Sequence, residues 1–378
     1  MNRQFMIDGA LRGGAAGDPP GAAPRPLLIA ELGTSHGADP AKARELVDAA
    51  AEAGADCVKF QMVYADEILH PRTGEVVLPG GAIRLYDAFK KLEAPPAFYA
   101  GIKDYAESRG LLFLCTPFGL RSARELRALG PRAFKIASPE LNYTALLRET
   151  ASYNLPVLLS TGVSKLGDIE EALGFFPRDR VCLLHCVTAY PAPVEDYNLR
   201  LLQSLGAVFG CAVGLSDHSL DPELIPALGT ALGAAAIEKH FCLSRKDPGL
   251  DDPIALPPAD FSRMVRAVRR VAAMERDEAV AAIGAERGSA LVEAVLGDGV
   301  KRLAPSEEAN YERTNRSLHA LRDIRRGEIF SPHTLGVLRT EKILRPGLHP
   351  SWESRITGRR ARNFIPAGEG IRFEDIGD

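Results

Sequence analysis

Eight times along the chain a short apolar run ends in side chains able to do chemistry. They are Glu31; Lys59 with Gln61; Thr116; Lys135 with Ser138 and Glu140; Ser160 with Thr161; Thr188 with Tyr190; Ser216 with His218; and Glu238 with His240. Folding alone explains this poorly, since an unpaired buried charge costs several kcal/mol. Two ammonium groups, Lys59 and Lys135, with the hydroxyls of Thr116, Ser138, Ser160 and Ser216, suit a compact dianion such as a phosphate beside a carboxylate. His218 and His240 end consecutive runs and can share a divalent ion, to which Glu31 could add an oxygen. Two other uses of these residues exist. A desolvated lysine could attack a carbonyl and form a Schiff base, and each histidine taken singly could be a core residue bonded to backbone.

The elements that must position these groups follow from the spacing. The runs 27–31, 56–61, 111–115, 133–137, 156–160, 181–186, 211–216 and 234–240 read as strands, and the segments between them have helical period. Eight parallel strands with crossover helices make an α/β fold of the TIM (β/α)8 barrel type, whose chemistry gathers at the C-terminal strand ends. Side-chain alternation then puts Lys59 and Gln61 on one face, and Glu238 and His240 on one face, with Lys239 turned outward. The ends bearing His218 and His240 would lie roughly 5 Å apart. In 39–54, Asp39 can cap a helix and Pro40 suits its first position. Ala43, Leu46, Val47 and Ala50 form its apolar stripe, and Gly54 suits its stop. The insertion at 62–95 predicts a rim or lid over the active face.

The domain reading is a disordered tail over 1–24, rich in Gly, Ala and Pro, a barrel over 25–275, a charged and Ala-rich linker or arm with some helix over 276–312, and a small β-rich domain over 313–378. That last domain holds 13 Lys/Arg against 8 Asp/Glu. Such a basic cap could lend positive charge to an anionic ligand, or it could face a partner subunit. The whole chain balances 46 Lys+Arg against 49 Asp+Glu over 378 residues, which argues against a nucleic-acid partner and for a small molecule. The six cysteines (57, 115, 182, 186, 211 and 242) lie mostly inside apolar runs without disulfide or zinc spacing. The expected compartment is therefore a reducing cytoplasm. No apolar stretch approaches the roughly 20 residues of a membrane span, and the first residues lack a signal-type apolar core.

The segments "IAELGTSHGADPAKARELVDAAAEAGADCVKFQ", "CTPFGLRSARELRALGPRAFKIASPE", "VLLSTGVSKLGDIEEAL", "LLHCVTAYPAPVEDYNL", "GLSDHSLDPELIPALG", "AAIEKHF" and "RSLHALRDIRRGEIF" resemble, in order and spacing, the sialic acid synthases and their legionaminate and pseudaminate relatives. These make nine-carbon 2-keto acids from phosphoenolpyruvate and an amino-sugar aldehyde. The end of the chain resembles their antifreeze-like (SAF) domain. The resemblance implies a transferase in which His218 and His240 bind a divalent metal, usually manganese, with magnesium or cobalt as alternatives. It implies that Lys59, Lys135, Ser138, Ser160, Thr188 and Ser216 surround phosphoenolpyruvate. Glu31, Gln61, Tyr190 and Asp251 would lie around the sugar, Glu140 near the reacting centre, and Glu238 or Glu140 beside the attacking water. Arg316 would reach a partner subunit's sugar pocket in a domain-swapped homodimer.

Three places depart from the family pattern. Ser35-His36-Gly37-Ala38 stands where Asn-His-Asn-Gly is common, Ser138-Pro139-Glu140 where Ser-Gly-Glu is usual, and "PGLDDPIAL" where Pro-Gly-Pro-Asp-His is common. The altered end is the sugar end. The readings that compete with a synthase are a Schiff-base pyruvate aldolase using Lys135 and a sugar-binding relative without turnover.

Overall fold

Capped amphipathic helices alternate with apolar strands, and the computed structural model shows how they close. It describes residues 5–7, 10–12, 25–78, 81–341 and 343–378. The parallel strands are β1 (Leu27–Gly33), β2 (Cys57–Met62), β3 (Leu112–Pro117), β4 (Phe134–Ile136), β5 (Val157–Ser160), β6 (Val181–Cys186), β7 (Ala212–Asp217) and β8 (Ala236–His240). Their ladder runs β3-β2-β1-β8-β7-β6-β5-β4, with β3 and β4 side by side at its ends. The first strand thus pairs with the last, as a TIM-type barrel requires. In this register His240 lies opposite Glu31 and Glu31 opposite Lys59.

Period-two alternation sorts the side chains. Leu27, Ile29, Cys57, Leu114, Leu158, Leu184 and Ala236 form an apolar cluster inside the barrel. One step further along the same face, the strands carry Glu31, Lys59, Ser160, Cys186 and Glu238. The opposite phase, including Leu28, Val58, Phe60 and Ile237, packs into the large outer core with the helices. The helix at Pro40–Glu52 has the cap and stripe its sequence predicts: Asp39 accepts the Ala41 N–H, and Ala43, Leu46, Val47 and Ala50 are buried.

Two expectations are corrected here. The region assigned to a disordered tail contains an antiparallel pair, Phe5–Ile7 with Ala10–Arg12, and Phe5 and Ile7 are buried in the apolar cluster inside the barrel. Two large apolar side chains in a Gly/Pro-rich segment were enough to anchor it. The rest of that assignment, residues 1–4, 8–9 and 13–24, lies outside the described residues. The second correction concerns 276–312. The helix expected in this linker or arm is there, as Arg276–Arg287 and Ser289–Leu296, but Ala279, Ile283, Val292, Val295 and Leu296 join the outer core of the barrel.

The last domain has its own core, including Leu318, Ile324, Phe330, Ile365 and Ile371, around the antiparallel strands β9 (Arg316–Ala320) and β10 (Leu335–Arg339). It rests on the 62–95 insertion, where His70 Nε2 lies 3.2 Å from the Leu321 carbonyl oxygen and Arg72 donates to the Ala367 carbonyl. That insertion, expected as a rim or lid, also uses Glu67 to accept the N–H groups of Arg121 and Ser122 at the start of the helix Leu120–Ala128 that follows β3. No helix among the described residues is long and apolar enough to cross a membrane.

Lys239 does turn away from the barrel interior, but not into solvent. It is 1% exposed, and its Nζ lies 2.6 Å from Asp217 Oδ2, with the Ser219 carbonyl and hydroxyl at 2.5 and 3.1 Å. Burial draws its pKa below the ordinary lysine value, against the pull of Asp217. Asp217 Oδ1 in turn accepts from Tyr197 OH at 2.6 Å. Truncating one partner of such a pair strands the other in the interior. Lys239→Met should therefore lower unfolding free energy by about 3–5 kcal/mol in urea titration, with Asp217→Asn added in the same chain restoring part of it. A loss below about 1 kcal/mol, the range of an exposed pair, would contradict the assignment.

Candidate functional site

The polar strand ends converge at the mouth of the barrel. Lys59 Nζ is 2.7 Å from Glu31 Oε2 and 3.5 Å from Glu238 Oε1, while Lys135 Nζ is 3.8 Å from Glu238 Oε1. All four side chains are no more than 6% exposed. Lys59 also donates to Thr116 Oγ1 at 3.2 Å, Lys135 to Ser160 Oγ at 2.7 Å, Ser216 Oγ to Glu238 Oε1 at 3.4 Å, and Gln61 Nε2 to Glu31 Oε1 at 2.7 Å. The result is one network built from seven strands.

The two lysines differ electrostatically. Burial opposes the charge of Lys59, but Glu238 and Glu31 outweigh it and raise its pKa above the ordinary value. Burial wins at Lys135, whose pKa is lowered despite Glu238, with Lys59 adding repulsion. Glu238 is kept ionised against burial by Lys135 and Lys59. An anion approaching this pair would meet one firmly held ammonium and one that gains most from a new partner.

His218 and His240 end neighbouring strands with ring centroids 5.4 Å apart. Their approach depends on Gly214 in β7, where a Cβ would lie 2.5 Å from the Ala236 carbonyl oxygen of β8. His218 Nδ1 is 2.8 Å from the Val187 carbonyl and its backbone N–H donates to Tyr197 OH at 2.8 Å, so the ring is fixed from behind with Nε2 left over. Burial pushes the His240 pKa down to about 3, making it a neutral imidazole. Tyr190 stacks on His218 at 4.3 Å, and Asp251 Oδ2 is 3.9 Å from His240 Nδ1. Glu238 Oε2 is buried with no hydrogen-bond partner among the described residues. At His218 burial is outweighed by the Cys186 sulfur 3.8 Å from Nδ1 and by the Val187 carbonyl, which raise its pKa to about 9. The neutral His240 and the ionised Glu238 fit a divalent ion, and His218 would give up its proton to join them. Among the described residues no three such side chains are gathered as a ready-made ligand set, so the remaining positions would fall to water or substrate.

At the end of β1 a register shift between Glu31 and Gly33, with Gly33 at φ +51°, turns the chain beside Gln61 and Asp251. Irregularities of this kind re-aim side chains at barrel rims. Where this chain departs from the family pattern, Ser35 donates to Asp252 Oδ1 at 2.5 Å; the retained His36 beside it packs against Phe60 and Phe98. Ser138 accepts the Gly162 N–H at 3.0 Å, and Thr188 sits beside the same glycine.

Glu140 and Arg316 meet each other, the outcome least visible in the sequence. Glu140 Oε1 accepts from Arg316 Nε at 3.1 Å and from Arg339 Nη2 at 2.7 Å, all within one chain. Arg316 is fully buried, donating also to the Phe118 carbonyl at 2.5 Å and to that of Glu67. The arginine expected to reach a partner subunit thus covers its own barrel here, and the carboxylate expected beside the reaction receives it. Sequence reading missed Arg339. Its signal is the antiparallel register that puts it opposite Arg316.

Residues 46–279 match the NeuB family and residues 315–377 the SAF domain. The chain is 34% identical to the N,N'-diacetyllegionaminic acid synthase of Campylobacter jejuni, over 82% of this chain and 89% of that protein. It is 32% identical to a pseudaminic acid synthase of the same species, over 93% and 96%. The crystal structure of the spore coat polysaccharide biosynthesis protein SpsE of Bacillus subtilis superposes with a TM-score of 0.79 at 32% identity, covering 99% of both chains. On this barrel, its polar mouth and these matches, the chain belongs to the NeuB family of sialic acid-type synthases and carries a SAF domain at its C-terminal end.

Proposed function

We propose that the protein condenses phosphoenolpyruvate with an N-acylated amino-hexose aldehyde to give a nine-carbon 2-keto-3-deoxy acid, releasing phosphate by C–O cleavage. The observation that carries this is the buried Lys59–Glu238–Lys135 cluster lying one strand end from His218 and His240. A phosphate with a carboxylate needs the first group, and an aldehyde in need of activation suits the second. In this reading Lys59, Lys135, Ser138, Ser160, Thr188 and Ser216 hold phosphoenolpyruvate, and Glu31, Gln61, Tyr190 and Asp251 line the acceptor end.

A divalent ion on His218 and His240, manganese being the first choice, would act as a Lewis acid that polarises the acceptor aldehyde. The residues of the chain do the rest. The hydroxyl and ammonium ring holds carbon 3 of phosphoenolpyruvate toward the carbonyl carbon, and bonding between them leaves positive character at carbon 2. Glu238, ionised and with Oε2 unpartnered among the described residues, takes a proton from the water that adds there. The alkoxide left on the former aldehyde carbon takes up that proton, and the tetrahedral phosphohemiketal collapses to the ketone as the C2–O bond to phosphate breaks, the hydroxyl proton leaving with the phosphate, whose oxygens are neutralised by Lys59 and Lys135. Glu140, with Arg316 and Arg339 on it, serves to seat the SAF domain over the site. We propose a cytoplasmic homodimer, in which these contacts can form between chains as well as within one.

The lowered pKa of Lys135 favours one second reading, a Schiff-base aldolase, which borohydride trapping with pyruvate would reveal as a covalent adduct. The synthase reading predicts manganese-dependent phosphate release from phosphoenolpyruvate with at least one six-carbon amino sugar in a panel, lost after chelation and in His218→Ala and His240→Ala. With oxygen-18 in the bridging position, label should leave in phosphate. Retention in the keto acid, or full activity without metal, would sink it.

A further inference from the structure

The segment between barrel and SAF domain, read from sequence as a linker, reaches into the barrel mouth at several points. Lys301 Nζ donates to the Thr161 carbonyl at 3.1 Å, and Glu307 Oε1 accepts the N–H groups of Val163 at 2.8 Å and Thr188 at 2.6 Å. Asn315 Nδ2 donates to the Val163 carbonyl at 3.1 Å. Both peptide groups of Val163 are therefore held, the N–H by Glu307 of this segment, a strap between the domains, and the carbonyl by Asn315 at the start of the last domain. Val163 is fully buried and sits at φ +41°. A β-branched residue in the left-handed region is a strained outlier, which persists when its surroundings over-determine it.

The strained turn has a location that explains it. The preceding Gly162 donates to Ser138 Oγ at 3.0 Å, and a Cβ there would overlap Thr188 Oγ1. The turn follows directly on Ser160, which receives the Lys135 ammonium. Three hydroxyls from three strand ends are thus packed around two peptide units, and those units are fixed from outside by Glu307 and Asn315. Glu307 is 1% exposed, a buried carboxylate whose known partners are backbone N–H groups.

We infer that Glu307 and Asn315 are positioning residues for the anion cradle: by clamping Val163 in its left-handed turn they set Ser138, Ser160 and Thr188 at the spacing a phosphate ester requires. This rests on the assignment of those hydroxyls to phosphoenolpyruvate. It makes Glu307 and Asn315 part of the support of the substrate site, so the barrel without these two side chains would carry its lysines and histidines but a relaxed cradle.

The test compares Glu307→Ala, Asn315→Ala and Glu307→Gln with Tyr311→Phe, which removes a strap contact to Asp168 away from the turn. Steady-state kinetics and hydrogen exchange at the Gly162, Val163 and Thr188 amides are read on the full chain. Glu307→Ala should raise KM for phosphoenolpyruvate roughly ten- to a hundredfold, the loss of one or two charge-assisted hydrogen bonds, with the acceptor's KM unchanged and those amides exchanging faster. Glu307→Gln, which keeps an accepting oxygen, should recover most of the effect. Val163→Gly added to Glu307→Ala should recover part, since glycine adopts positive φ without a clamp. Tyr311→Phe should match wild type. Unchanged KM for phosphoenolpyruvate in Glu307→Ala, equal rises in both KM values, or unchanged exchange at the three amides would overturn the inference. A wild-type protein without phosphoenolpyruvate turnover would instead refute the synthase reading, and the exchange comparison would still decide the clamp.

Discussion

Four charges, Glu31, Lys59, Glu238 and Lys135, are held out of water at the ends of strands β1, β2, β8 and β4, and the rest of the barrel mouth is arranged to make that tolerable. Each charge removed from water costs several kcal/mol unless it is paired and hydrogen-bonded. Lys59 meets this between two carboxylates, and Glu238 between two lysines. The hydroxyls of Thr116, Ser160 and Ser216 complete their hydrogen bonds. Lys135 is the least compensated of the four, its nearest carboxylate oxygen being 3.8 Å away. Under the proposed reading, the bound dianion supplies the closer negative charge that this lysine wants.

A second buried pair works behind the sheet. Lys239 and Asp217 lie on the outward phase of β8 and β7, next to the inward histidine end of β8, and Tyr197 links Asp217 to the backbone of His218. The strand pair that carries both imidazoles is thereby tied down on its far side. Around the rim, Arg316 and Arg339 descend from the SAF domain onto Glu140, and Glu307 enters from the strap. Front, back and lid of the site use the same device, a buried carboxylate shared by donors from separate segments. That sharing couples elements far apart in sequence.

The inward polar set was legible because a strand has only two faces. Once the eight apolar runs were phased, Glu31, Lys59, Lys135, Glu238 and His240 had to share one interior. What the alternation could not say is what covers the other face. Lys239 reads as outward by phase, yet helix packing makes that face as dry as the inside, and its partner Asp217 is identified by register and not by local sequence. The Glu140–Arg316–Arg339 contact joins residues about 180 to 200 positions apart, and no periodicity reports such a pairing. Glu307 was hidden for a related reason. In a charged, Ala-rich stretch one glutamate resembles any other until its backbone partners are known. Phe5 and Ile7 lie in a segment whose Gly, Ala and Pro content reads as a tail, and composition does not report that two apolar side chains suffice to anchor a strand inside the barrel.

Under the proposed reading, the lysine–carboxylate cluster is the anion end and the histidine pair a separate electrophilic end. Calorimetric titration with phosphoenolpyruvate, without acceptor, separates them. Lys135→Met removes an ammonium that burial already disfavours, so the variant should stay folded while losing at least about tenfold in affinity, the loss expected for a charge-assisted hydrogen bond. His218→Ala should bind as wild type. A Lys135→Met protein that binds phosphoenolpyruvate normally, beside a His218→Ala protein that does not bind it, would contradict the division on which the account rests.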